Sequence, residues 1–162
     1  MSGTTFCVRV GTTQDLPAIL EVQREAFSRV ADELGIDPSQ LPPLAEQLDD
    51  LIELLIGGTT FLVAADSAGA VIGSVRAARC GASVEVGRLV VGDRWTRRGV
   101  ATALMDALEA SHTDATSFEL FTGAEAGAPL ALYQQRGYLE TRRERTGPVE
   151  LVWLRKYPVS HD

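Results

Sequence analysis

Val84-Glu85-Val86-Gly87-Arg88-Leu89-Val90-Val91, followed by Arg97-Arg98-Gly99-Val100-Ala101 and then Leu104-Met105, carries the reading of this 162-residue chain. The first part has the apolar density of a buried strand, the second is an arginine–glycine turn, and the third opens a helix. A helix start holds backbone N–H groups without intrahelical partners, together with the positive end of the helix dipole. It is a ready anion site. Gly99 and Ala101 keep side chains clear of the backbone, so a phosphate can approach it, and Arg94, Arg97 and Arg98 surround it with positive charge.

A second element lies downstream, Leu132-Tyr133-Gln134-Gln135-Arg136-Gly137-Tyr138. In this order and at this spacing the two stretches resemble the paired signatures of the GNAT superfamily of acetyl-CoA-dependent N-acetyltransferases. One signature is Gln/Arg-x-x-Gly-x-Gly/Ala after a strand. The other is a tyrosine-bearing helix that ends at a glycine and an aromatic strand residue. The first falls on Thr96 to Ala101, where Thr96 stands in place of the usual Gln or Arg. Ala126 stands where relatives often carry an asparagine that contacts the cofactor. The resemblance runs from Val8 to about Lys156 and is to the single-domain bacterial type, so residues 1–162 are expected to form one domain. It implies an α/β fold with a mixed central sheet of about seven strands, helices on both faces, and a V-shaped cleft after the fourth strand.

Composition agrees with one soluble domain: 45% apolar and 23% charged residues are ordinary values for a chain that buries a core. Cys7 and Cys80 give neither a disulfide framework nor a CxxC pattern, and with two histidines no metal site is expected. Both cysteines read as small buried apolar residues. A reducing cytoplasm is the expected compartment, since no signal peptide or spanning apolar run is apparent. A net charge of −7 argues against nucleic acid or an anionic membrane as partner. Basic charge is almost all arginine, Lys156 being the single lysine, which reads as genome composition.

Along the chain, strands and helices alternate. Residues 8–10 begin a strand, and Thr12 to Asp15 leads into a helix with Leu16, Ile19, Leu20, Ala26, Phe27 and Val30 on one side. A proline-rich loop at 35–43 precedes a second helix bearing Leu44, Leu48, Leu51, Ile52 and Leu55, which stops at Gly57-Gly58. Residues 61–65 and 71–75 read as a hairpin about Ser67-Ala68-Gly69. The strand at 84–91 follows, then a helix with Val100, Ala103, Leu104, Ala107 and Leu108 on one face. A strand at 117–121, a helix at 125–136 and strands at 138–144 and 149–155 complete the order β-α-α-β-β-β-α-β-α-β-β. No GxGxxG follows the first strand, which sets aside a Rossmann nucleotide binder.

The resemblance implies direct transfer of an acetyl group from acetyl-CoA to a primary amine in a ternary complex, without a metal. A non-catalytic acyl-CoA-binding or sensing domain is the alternative. An alkyl amine has a pKa of roughly 10 and must lose a proton before it attacks, the acyl oxygen must be stabilised by N–H donors, and the thiolate must depart. By position the family's splayed strand falls on Leu89, Val90 and Val91, and its phosphate turn on Arg97, Arg98, Gly99, Val100, Ala101 and Thr102. Tyr133 occupies the place of the family's general acid, its bland counterpart being a packing residue on the inner helix face. Glu85 occupies a place where several relatives put a general base. It shares a strand face with Gly87, while Val84, Val86, Arg88 and Val90 take the other. The alternative is that Glu85 pairs with Arg76 or Arg79 on the neighbouring strand.

Residues 30–58 hold seven acidic and no basic residues. Glu46, Asp49, Asp50 and Glu53 read first as the solvated face of the second helix, and second as a wall attracting a cationic amine. Arg142, Arg143 and Arg145 are expected to face solvent or an acidic neighbour, His112 to sit at a helix end, and Trp153 to lie in the core or a subunit contact. The acceptor class stays open between small amines and peptide or protein amines. Many relatives form homodimers, which keeps a second copy of the chain among candidate partners.

Overall fold

The computed structural model describes residues 5–124 and 127–158. Seven strands form one mixed sheet in the order β1-β2-β3-β4-β5-β7-β6. They are β1 (Phe6–Val10), β2 (Thr60–Asp66), β3 (Val71–Cys80), β4 (Ser83–Val91), β5 (Ser117–Gly123), β6 (Leu139–Thr146) and β7 (Val149–Lys156). Five helices interleave with them: α1 (Leu16–Leu34), α2 (Pro42–Ala45), α3 (Leu48–Ile56), α4 (Val100–Ala110) and α5 (Gly127–Gln135). The expected order holds, with one division. The second helix is broken between Ala45 and Leu48, because Glu46 is extended (φ −65°, ψ 139°) and turns inward to the sheet.

Each face of the sheet is covered by helices. Val100, Leu104, Met105 and Leu108 of α4 pack with Leu62, Val75, Val84, Val86, Phe118, Leu120 and Leu154. On the other face Leu16, Ile19 and Leu20 of α1 and Leu51 of α3 pack with Phe61 and Val63. The 3.6-residue period of each helix fixes which side it buries. α4 seats closely because residue 73 is glycine: a Cβ there would lie 3.0 Å from the Val90 carbonyl oxygen and 3.1 Å from a Val100 methyl.

The sheet is two halves joined by a short seam. β4 and β5 run parallel and pair only through Ser83–Ser117, Val84–Phe118 and Glu85–Glu119. Beyond Glu85 they part. β5 continues against β7 through Gly123, while β4 continues against β3 to Val91. The side of β4 that faces β5 therefore has no ladder partner past the seam, and this is the V-shaped opening. β4 also carries a bulge: Arg76 pairs with Gly87 but Ser74 with Val90, leaving Arg88 in the left-handed region (φ 53°). The extra residue corrects the faces expected for Arg88, which reaches Glu46 on the α1 side, and for Val90. Val90 packs with Val22 and Ala26 of α1, on the Glu85 side of the sheet, and away from Val84 and Val86.

Both cysteines are exposed, contrary to the buried reading, because Cys7 is on the edge strand and Cys80 ends β3 at its turn. No helix among the described residues is long and apolar enough to cross a membrane.

Candidate active site

α4 begins directly behind the open end of β4. A 3-10 turn at Asp93–Trp95 leads from the strand, and Asp93 is tied back to α1 by a salt bridge to Arg29 and a backbone N–H donated to Glu25 (3.1 Å). Arg97 (φ 62°) and Gly99 (φ 83°) both take left-handed backbone, and Gly99 caps the helix. No side chain caps this end and no acidic residue lies in its first turn. The N–H groups of Val100, Ala101 and Thr102 are thus left for an external acceptor. A Cβ on Gly99 would meet no protein atom within 4 Å, so the space before the helix is open. Arg94, Arg97 and Arg98 are exposed around it, with the Arg98 guanidinium 5.3 Å from the Trp95 ring centre. The donors, open volume and cations suit a pyrophosphate.

Tyr133 is held by the way α5 ends. The Tyr138 N–H donates to the Tyr133 carbonyl (3.0 Å) and the Gly137 N–H to that of Gln134 (3.1 Å), with Gly137 at φ 96°. This is a Schellman close, which favours contact between the residue after the glycine and the residue five places before it. Here the two are tyrosines, their rings edge-on with centres 5.8 Å apart. The motif Tyr-x-x-x-Gly-Tyr thus has a structural cause. Tyr138 is locked in turn, donating from Oη to Glu109 of α4 (2.9 Å), which also binds Arg136 (3.2 Å) and Lys156 (2.7 Å).

Tyr133 is itself buried, in the same apolar cluster as Val84, Val86, Phe118 and Leu120 from both prongs of the fork. Burial pushes its phenol well above the usual value, and among the described residues no group hydrogen-bonds its hydroxyl. The hydroxyl therefore stays protonated at neutral pH.

Glu85 is the last residue of the seam, on the α1 side of the sheet and exposed. Its alternative partners are engaged elsewhere: Arg76 with Glu46 (2.8 Å) and Arg79 with Asp114. Among the described residues Glu85 forms no ion pair. Leu89, Val90 and Val91 lie on the open prong, Val90 buried and its neighbours half-buried. Ala126 lies outside the described residues. Among the remaining expectations, Asp49 and Asp50 are on the exposed side of α3, where Asp50 accepts the Gln47 N–H (2.8 Å), and Glu53 is exposed. Glu46 is not on that face. It lies in the link before α3 and binds inward, and the sequence reading missed it because the apolar period ran unbroken across the link. Arg142 pairs with Glu144, Arg143 with Glu140 and Glu150, and Trp153 is half-buried under the Arg142 guanidinium.

The chain matches the acetyltransferase (GNAT) domain over residues 41–148. It belongs to that family of acetyltransferases. Solved structures agree in fold. The PaiA N-acetyltransferase of Thermoplasma acidophilum, in complex with coenzyme A, is 16% identical with a TM-score of 0.75, over 95% of this chain and 99% of that one. The ribosomal-protein-S18-alanine N-acetyltransferase of Escherichia coli is 14% identical with a TM-score of 0.79, over 98% and 97%. The ribosomal-protein-alanine N-acetyltransferase of Brucella melitensis is 22% identical with a TM-score of 0.72, over 94% and 99%. The sequence matches no curated protein.

Proposed function

We propose that the protein transfers an acetyl group from acetyl-CoA to a primary amine by direct attack in a ternary complex. The observation that carries this is the fork: β4 and β5 part after Glu85, leaving a free strand edge that leads to an uncapped helix start. Acetyl-CoA supplies the activated acetyl thioester. The N–H groups of residues 100–102 and the exposed arginines at 94, 97 and 98 hold its phosphates. The free edge at Leu89, Val90 and Val91 offers backbone N–H groups to the pantetheine arm and to the acyl oxygen as it gains charge.

Glu85 stands at the mouth of the fork on the α1 side and accepts the proton of the incoming ammonium, directly or through water. Tyr133 acts from the α4 side. A free phenol already lies about 1.5 pKa units above a thiol, and burial widens that gap, so complete proton transfer to the thiolate is uphill by more than roughly 2 kcal/mol. A hydrogen bond that strengthens as sulfur gains charge is the role that fits. The proton balance closes without Tyr133 ionising: one proton of the ammonium leaves through Glu85 to solvent, and the second ends on sulfur.

Incubation with acetyl-CoA and a panel of amines, following free thiol, tests the reading. Amine-dependent thiol release is expected, and Glu85→Gln should depress it most at low pH, with partial recovery toward the amine's own pKa. Acetyl-CoA binding without release on any amine would leave a binding domain in place of an enzyme. An unaltered pH–rate profile in Glu85→Gln would remove the carboxylate from the reaction.

A further inference from the structure

Two arginines stand within the apolar strands of the first half-sheet, and one carboxylate serves both. Arg76 on β3 and Arg88 on the bulge of β4 reach Glu46, at 2.8 and 3.2 Å. Gln23 of α1, itself buried, donates from Nε2 to Glu46 (2.7 Å) and to the Pro43 carbonyl (2.9 Å). Burial alone would favour the neutral acid. The donors from Arg76, Gln23 and Arg88 outweigh it and bring the Glu46 carboxyl down to about 2. Glu46 is therefore ionised near neutrality, and its two oxygens are already occupied.

Arg76 uses both terminal nitrogens on Glu46 (3.1 and 2.8 Å). Arg88 uses only Nε. Among the described residues nothing bonds Nη1 or Nη2 of Arg88, and its side chain keeps 19% of its exposure. Two guanidinium groups against one carboxylate leave a net positive charge, and Arg24 adds another nearby, donating to the Glu46 carbonyl at 3.2 Å. Burial, and next the charge of Arg76, disfavour the Arg88 cation. A half-buried charge with too little compensation is costly, and an added anion offsets that cost. The free edge of a guanidinium has the spacing that grips a carboxylate through two parallel N–H bonds.

The place of this group in the fold says which ligand would meet it. Arg88 follows Glu85 on the same strand, past the seam and inside the opening, at a separation of roughly 10 Å along the backbone. It is held on the α1 side, as Glu85 is, whereas Tyr133 packs on the α4 side. That is the side from which an amine would approach under the acetyltransferase reading, on which this step rests. We infer that Arg88, backed by Arg76 and Glu46, binds a carboxylate carried by the amine acceptor, and that the acceptor is a free amino acid or a close analogue. A polycation such as a polyamine or an aminoglycoside would meet like charge here. The acidic stretch at 30–58 does not offset this, since its inward carboxylate, Glu46, is the one already taken.

The test compares free amino acids with their amides and decarboxylated amines, which keep the reacting nitrogen and lose the anion. With the native protein the acids are expected to show kcat/KM at least about tenfold above their amides, mainly through KM. Arg88→Gln should remove that preference while acetyl-CoA affinity, by calorimetry, stays within about twofold; Arg88→Lys should restore part of it, having charge without the fork. Glu46 keeps Arg76 and Gln23 in these variants, and the native comparison stands even if a variant folds poorly. Amides or decarboxylated amines acetylated as well as the acids would overturn the carboxylate site and leave the acetyltransferase intact. Absence of thiol release with every amine, together with no binding of an amino acid by calorimetry in the presence of coenzyme A, would overturn both.

Discussion

Burial raises the pKa of both Tyr133 and Glu46, but it stands unopposed at the first and is outweighed by donors at the second. Tyr133 has no partner that stabilises its anion among the described residues, so burial raises its pKa and keeps the hydroxyl protonated. Tyr133→Phe removes only that hydroxyl. If the lost hydrogen bond belongs to the transition state, as proposed, turnover should fall by roughly ten- to a thousand-fold with acetyl-CoA binding nearly intact. Equal turnover in the variant would return Tyr133 to a packing role. Glu46 is surrounded by donors, so its carboxyl is held down at about 2, against an ordinary value of 4.5. A lowered pKa in the folded state contributes stability that is fully present above the unfolded value and is lost as pH falls through the folded one. Glu46→Gln should therefore unfold more easily than the native protein at pH 7, by about 1–2 kcal/mol after solvent screening of a partly exposed group, with the difference shrinking as pH falls from 4.5 toward 2. Denaturant unfolding at both ends of that range measures it. A difference that does not change with pH would mean that packing, not charge, holds the link before α3.

Two glycines at helix ends make matched controls. Gly99 opens α4 at φ 83° and Gly137 closes α5 at φ 96°, and at neither would a Cβ clash with the protein. Alanine at either position forces a side chain into left-handed backbone, at about 1 kcal/mol. Both variants should lose similar stability, but only Gly99→Ala should weaken acetyl-CoA binding, since only that glycine borders the open space before a helix start. Equal affinities in the two variants would displace the phosphate site from α4. These helix ends were legible in the sequence because glycine, arginine and an apolar period each leave a mark there. The bulge at Arg88 was not. Nothing distinguishes an arginine with φ 53° from one in regular strand, so strict alternation put Val90 on the wrong face. The Glu46 link escaped for a related reason: Leu44 and Leu48 keep helical spacing across it, and the partner that Glu46 meets there, Arg76, is distant in sequence. The pairing that decides the charge of the site is thus tertiary, and only its members were visible.

At the scale of the molecule, the sheet is continuously laddered within each half, and the halves are joined by three residue pairs at the seam. The first half carries the β4 edge and α4; in the second, β7 is paired on one side with β5 and on the other with β6. A ligand inserted in the fork would pair with the β4 edge that lies open past the seam and with the unpartnered N–H groups at the start of α4. Binding to the folded state alone raises stability by mass action, about 2.7 kcal/mol at a hundredfold excess over Kd, or roughly 5–10 °C in Tm for a chain of this size. Acetyl-CoA should therefore stabilise the protein by that amount, with slowed amide exchange at 89–91 and 100–102 and little change in β6 and β7. On the proposed placement the two contacts are separable, because the arm and the phosphates would address different stretches of backbone. Pantetheine without phosphates should protect 89–91 alone, and an adenosine bisphosphate without the arm should protect 100–102 and none of the three strand residues. Protection spread evenly over both halves would mean that the seam closes on binding and that the fork is not a preformed site; no protection at 89–91 would mean that the free edge is not where the arm lies.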